Sequence, residues 1–194
     1  MDIINRVKNI LVSPKTEWQT IDGENDSHMV LLTKYVLLLA AIPAIAAFIG
    51  YGLIGYRVFG HHFASVSMGI RQAIVHYITM VGGIYITAFV IDLLAGNFGS
   101  QKNFDKAFSL VAYAFTPALV GGIFYIYHPL SFLAGLASIY SLYLLYIGLA
   151  PMMKTPDEKR TSYFVISLLV MLAAYFVLSL VLAAILVGGA VARF

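Results

Sequence analysis

Residues 107–150 read AFSLVAYAFTPALVGGIFYIYHPLSFLAGLASIYSLYLLYIGLA, without one Asp, Glu, Lys or Arg. As a single α-helix this run would measure roughly 65 Å at about 1.5 Å per residue, twice the ~30 Å hydrocarbon thickness of a bilayer. His128-Pro129 interrupts it. Proline has no N–H to donate, its ring clashes with the preceding helical turn, and the residue before it is pushed towards extended backbone. The stretch therefore reads as two membrane-spanning helices joined by a tight hairpin, with Tyr125, Tyr127 and His128 at a membrane interface.

Three further runs, 31–56, 74–95 and 163–190, reach the ~20 apolar residues a span needs. With 107–127 and 130–150 they make five. Composition agrees: the 194-residue chain is 61% hydrophobic and 11% charged, with mean hydropathy +0.88. Soluble domains carry roughly 25% charged residues, so the exterior of this chain faces lipid. The predicted fold is all-α: a polytopic integral membrane bundle of five transmembrane helices (31–194), preceded by an N-terminal segment (1–30) with a short amphipathic helix. That segment is largely polar, which predicts no cleavable signal peptide; the first span itself directs insertion.

Five spans put the termini on opposite sides. With the N-terminus inside, the inner side carries Arg6, Lys8, Lys15, Lys34, Lys102, Lys106, Lys154, Lys159 and Arg160, and the outer side only Arg57, Arg71 and Arg193. The excess of basic residues on cytoplasmic loops predicts a cytoplasmic N-terminus and a C-terminus on the far side. The net charge of +3 needs no nucleic acid to explain it, since no basic stripe interleaves with exposed aromatics.

In the N-terminal segment, Ile3, Ile4, Val7, Ile10 and Leu11 recur at helical spacing while Asn5, Arg6, Lys8 and Asn9 face away. Such a helix either lies on the headgroup surface or packs on the ends of the spans. Ser13-Pro14 ends it, and Trp18, the only tryptophan, is expected at the membrane interface.

Chemistry is sparse. With no cysteine, disulfides and thiolate sites are excluded. Asp92 is the only acid inside a span, roughly 8 Å of helix from the inner edge. Its readings are a polar contact or ion site, or helix-end solvation beside Lys102 or Lys106. His61-His62 reads as a structural loop, and His28 and His128 are isolated. No zinc-protease helix, Walker loop or nucleophile elbow is present. The sequence points away from an enzyme, a metal site or a cofactor.

Small residues say more, because in lipid helices associate by close backbone approach. Ala114, Ala118 and Gly122 recur every four residues, as do Ala184, Gly188 and Ala192, with a shorter series at Ala46 and Gly50. These seams hold one bundle together or make a homo-oligomer contact. Pro43 and Pro117, each inside a span, predict kinks. Tyr140, Tyr143 and Tyr146 share a broad face of the fourth span, as a polar groove or as packing and interfacial anchors.

Three stretches carry a family resemblance: residues 13–21 (SPKTEWQTI), residues 38–43 and 47–50 (LLAAIP and AFIG), and residues 112–117 (AYAFTP). The chain resembles the Yip family, the five-span Ypt/Rab-interacting membrane proteins, in its short bacterial inner-membrane form. The first stretch looks like the family's Ser-Pro-x-x-x-Trp-x-x-Ile opening. The last looks like its Gly-Tyr-x-x-x-Pro element, with Ala112 in place of glycine before Tyr113 and Pro117. The resemblance implies a membrane adaptor rather than an enzyme. Eukaryotic relatives are associated with Rab GTPases, but this chain lacks their long N-terminal region and its Asp-Leu-Tyr-Gly-Pro element, so Rab binding is not carried over.

The expected function is a non-enzymatic scaffold or interaction protein of a bacterial inner membrane. Its partners would be membrane lipids and a membrane or cytoplasmic protein. Trp18 and the loop 152–162, with Lys154, Lys159 and Arg160, would make those contacts. Each basic residue near an anionic surface contributes about 1 kcal/mol. The rival is a channel or transporter for a small neutral solute or lipid, lined by Pro43, Pro117 and the tyrosine face.

Overall fold

A backbone in hydrocarbon must satisfy its own N–H and C=O groups, and a helix does so within one segment. The computed structural model describes residues 2–191. Five helical segments in it are long and apolar enough to cross a membrane: His28–Ile54, Val66–Phe98, Phe104–Ile126, His128–Met153 and the start of the Asp157–Val191 helix. The chain is a mostly all-α membrane bundle. The second span begins eight residues before the predicted position 74. Arg71 and Gln72 held back the hydropathy reading, but a helix continues through polar residues where its end leaves the hydrocarbon.

The third span lies at the centre. In its most apolar window 78% of residues are buried, against 17% in the fifth span. Ala107, Phe108, Leu110, Val111, Ala112, Ala114 and Leu119 are fully enclosed by the helices around them. The two internal prolines act differently. Pro117 divides the third span into helices Phe104–Ala114 and Thr116–Gly121, with a break at Phe115. Pro43 sits inside the α-helical stretch Leu37–Ala47, flanked by wider π-helical turns at Leu32–Val36 and Phe48–Ile54.

Glycines set the closest approaches. A Cβ on Gly122 would collide with Pro43, and one on Gly69 would lie 2.6 Å from Gly52 Cα. The first span thus meets the second and third almost backbone to backbone. Ala114, Ala118 and Gly122 are all buried in this interior. The Ala184–Gly188–Ala192 series falls beyond the part of the last helix whose side chains are described.

Two features were not anticipated. The loop after the first span is a β-hairpin, β1 (Tyr56–Val58) and β2 (His61–Phe63), paired antiparallel with Arg57 opposite His62. The N-terminal segment forms two helices, α1 (Ile3–Val12) and α2 (Pro14–Asp22). Asp2 caps α1, accepting from the N–H groups of Ile4 and Asn5, and Pro14 opens α2, where a missing N–H is no loss. Ile10, Trp18 and Ile21 join the same apolar core as the spans. Of the two placements open to the amphipathic helix, the structure takes the one packed on the bundle.

The two ends of the bundle are therefore distinct. One is capped by α1 and α2 and holds the 96–103 and 154–156 connections, which meet where Gln101 N donates to Met153 O at 2.8 Å and Ser100 Oγ to Thr155 Oγ1 at 2.9 Å. The other holds the hairpin and the 127–130 turn, where Tyr51 and Tyr56 pack on His128.

Candidate functional site at the capped end

The cap is held by charges in a buried setting. Arg6 was expected to face away with Asn5, Lys8 and Asn9; it is 8% exposed. The reason is periodicity: position 6 is three residues after Ile3 and four before Ile10, on the stripe that faces inward. Arg6 Nη1 donates to Glu17 Oε1 at 2.5 Å, and Nη2 donates to Glu24 Oε1. Glu17 shares the inner side of α2 with Trp18 and Ile21. Burial alone would lower the Arg6 pKa, but the Glu24 hydrogen bond and the charges around it hold the guanidinium above its ordinary value. It is a permanent cation.

Below the ion pairs lies the third span. The guanidinium carbon stands 5.3 Å from the Tyr113 ring centroid, a cation–π contact. Tyr113 meets Tyr35 of the first span edge to face at 5.0 Å, and the Tyr35 hydroxyl bonds Thr116 Oγ1 at 2.7 Å. A polar thread thus runs from the N-terminal segment through Tyr113 and Tyr35 to the residue before Pro117. Beyond it, Ala118 N–H, at the break Pro117 creates, donates to Ser141 Oγ of the fourth span at 3.1 Å.

The edges of the cap are pinned as well. Lys106 Nζ donates to the carbonyls of Asp22 and Glu24 at 2.6 and 2.8 Å, and Lys154 Nζ to Asp22 Oδ2 at 2.5 Å. Tyr140 donates to Leu11 O at 2.9 Å. Two atoms of His28, N and Nδ1, meet Asp105 Oδ1 at 2.8 and 2.6 Å.

These positions correct several expectations. Trp18 is 1% exposed rather than facing lipid; it fills the space left by Gly148, where a Cβ would lie 2.8 Å from its ring. Its Nε1 has no hydrogen-bond partner among the described residues. Lys154, Lys159 and Arg160 do not form one free basic patch. Lys154 and Lys159 are both exposed, but Lys154 serves the cap, while Arg160 pairs with Asp157 and lies 5.7 Å over Tyr146. Asp92 does not pair with Lys106. Its Oδ1 is buried with no partner among the described residues, one residue from Ile91, whose carbonyl accepts from Tyr163. The tyrosine face is divided: Tyr140 ties down α1 and stacks on Tyr143 at 5.7 Å, whereas Tyr146 packs on Phe164.

Among the described residues no group of three or more His, Asp or Glu side chains is placed to hold a metal ion. At the capped end the guanidinium over Tyr113 is paired with Glu17 and Glu24 of the same chain. The arrangement holds two helices in place; it presents no nucleophile beside a base. The residues of the three stretches quoted for the family resemblance meet here: Trp18 and Ile21, then Leu39 and Ala40, then Tyr113, in one core. The signals sequence reasoning missed were Glu17 and Glu24, whose spacing from the inward-facing Arg6 shows only once α1 folds against α2.

Five spans, a filled centre and a built-in N-terminal cap define a polytopic helical membrane protein. The chain belongs to the Yip1 domain family, whose model matches residues 8–181. It is 30% identical over 166 residues to inner membrane protein YohC of Escherichia coli strain K12, covering 82% of this chain and 85% of that one. The protein of the same name from E. coli O6:H1 strain CFT073 matches to the same extent. No solved structure matches the chain.

Proposed function

We propose that this protein is a non-enzymatic scaffold or interaction protein of a bacterial inner membrane, with a cytoplasmic N-terminus and a periplasmic C-terminus. The observation that carries this reading is the third span: a helix with 78% of its most apolar window buried fills the space between the others, where a channel would need a path. A groove of about 260 Å³, open on the side where Ile139 and Leu172 are exposed, lies between the second, third, fourth and fifth spans and is mainly apolar, with Thr79 and Ser138 among its polar residues. A chain built this way supports surfaces rather than flux.

The relatives' names speak for the inner membrane. The charge distribution speaks for the orientation: nine basic residues stand at or near the capped end, against Arg57 and Arg71 at the hairpin end among the described residues. The exposed surface of α1 and α2, with Lys159, would face partners in the cytoplasm, and anionic lipid would add to their binding. Trp18 and Lys154 act indirectly, by holding that surface in place.

The test has two parts. In proteoliposomes the purified chain should pass no glycerol or other small neutral solute above empty vesicles; measured flux would overturn the scaffold reading. Proximity labelling from the N-terminus in native membranes should mark a reproducible set of neighbours, and labelling no different from a free cytoplasmic reporter would also overturn it.

A further inference from the structure

The hairpin end carries a pocket whose charge no described carboxylate balances. Its construction begins at Gly55, with φ +75°, where the chain turns sharply out of the first span. A side chain there would collide with the Phe63 carbonyl and lie 2.7 Å from His62 Nε2. With glycine in place, β2 folds back and His62 Nε2 donates to Ile54 O at 2.9 Å. Tyr56 stacks on Phe63 at 5.9 Å and meets His128 at 5.6 Å, with Tyr51 edge-on to both Tyr56 and His128. The hairpin is thereby fastened to the turn between the third and fourth spans. Between them lies a cavity of about 380 Å³ lined by Gly55, Arg57, His62, Tyr127, His128 and Pro129.

All nine acidic residues of the chain lie at or near the opposite, capped end: Asp2, Glu17, Asp22, Glu24, Asp26, Asp92, Asp105, Asp157 and Glu158. Arg57 has no carboxylate partner among the described residues. The pocket is at the level of Ile54 and His128, which end one span and begin another, so it opens at the plane of lipid headgroups. A guanidinium offers a planar fork of donors that fits phosphate oxygens, and the flanking imidazole and phenol groups hold further polar hydrogens. Tyrosines around it suit an interface that is apolar on one side and wet on the other.

We propose that this pocket binds a phosphate group, with Arg57 as its main contact and an anionic phospholipid headgroup as the source. The inference holds for either orientation of the chain. The test uses the full chain purified in detergent, titrated with phosphatidylglycerol and with phosphatidylcholine and read by native mass spectrometry. Phosphatidylglycerol should bind the wild type at least tenfold more tightly than it binds Arg57→Gln, and Arg57→Lys should recover part of the loss. Arg71→Gln removes the other described cation of this end, outside the pocket lining, and should change nothing. Displacement of the lipid by millimolar inorganic phosphate would support the site and name the free ion as a second source; retention of the lipid would support the headgroup alone. Equal binding by wild type and Arg57→Gln, with Trp18 equally shielded in both, would overturn the proposal.

Discussion

Arg6→Ala tests how the cap is held. In the folded chain the Arg6 and Glu17 side chains are 9% and 10% exposed, and Glu24 is 34% exposed. Removing the guanidinium leaves the Glu17 carboxylate buried without its partner. Breaking a buried pair from one side costs about 3–5 kcal/mol, because the remaining charge is left desolvated. The Glu24 contact, being partly solvated, adds little, and loss of the Tyr113 contact adds about 1 kcal/mol. The spans make none of these bonds with one another, so the cost falls on docking of α1 and α2. A total loss of about 4–6 kcal/mol shifts that equilibrium by roughly a thousand-fold to a few tens of thousands-fold. Trp18 is the built-in reporter, the only tryptophan and fully buried against Gly148. In Arg6→Ala its emission should move to the red and become quenchable by acrylamide while the spans stay helical by circular dichroism. The double variant Arg6→Met, Glu17→Met, which removes both charges together, should restore much of the shielding. A Trp18 as protected in Arg6→Ala as in the wild type would refute the argument that the ion pairs hold the cap.

Two further substitutions probe the bundle. Gly69→Val places a branched side chain where a Cβ already lies 2.6 Å from Gly52 Cα. Backbone cannot yield as a side-chain tip can, so a loss of about 3 kcal/mol or more is expected as a lowered unfolding midpoint in detergent. Ser141→Ala removes the acceptor of the Ala118 N–H and should cost about 1 kcal/mol, in the range for hydrogen bonds between membrane helices. An unchanged midpoint in either variant would show that the contact does not contribute to folding.

Five spans, their order and the tight hairpin at His128-Pro129 were legible in the sequence, because hydrocarbon imposes a length and a polarity that side chains must meet one residue at a time. The same one-dimensional pattern located the amphipathic stripe of α1 and the disruptive site at Pro117. It misplaced Arg6 and Trp18, since residue type there argued for water or interface while position argued for the interior. Arg6 is tolerated inside only because Glu17 and Glu24, 11 and 18 residues further along, come to meet it.

Lipid as the solvent, the number of crossings and the family opening, from Ser13-Pro14 to Ile21, follow from the sequence alone. Which span fills the centre, which glycines touch backbone, and which charges become partners were decided by the tertiary structure. Hydrophobicity acts on each residue wherever it stands, so a linear reading finds it. Ion pairs and close packing depend on distances between residues far apart in the chain, such as Arg6 and Tyr113 or Arg57 and His128, and those distances exist only once the chain has folded.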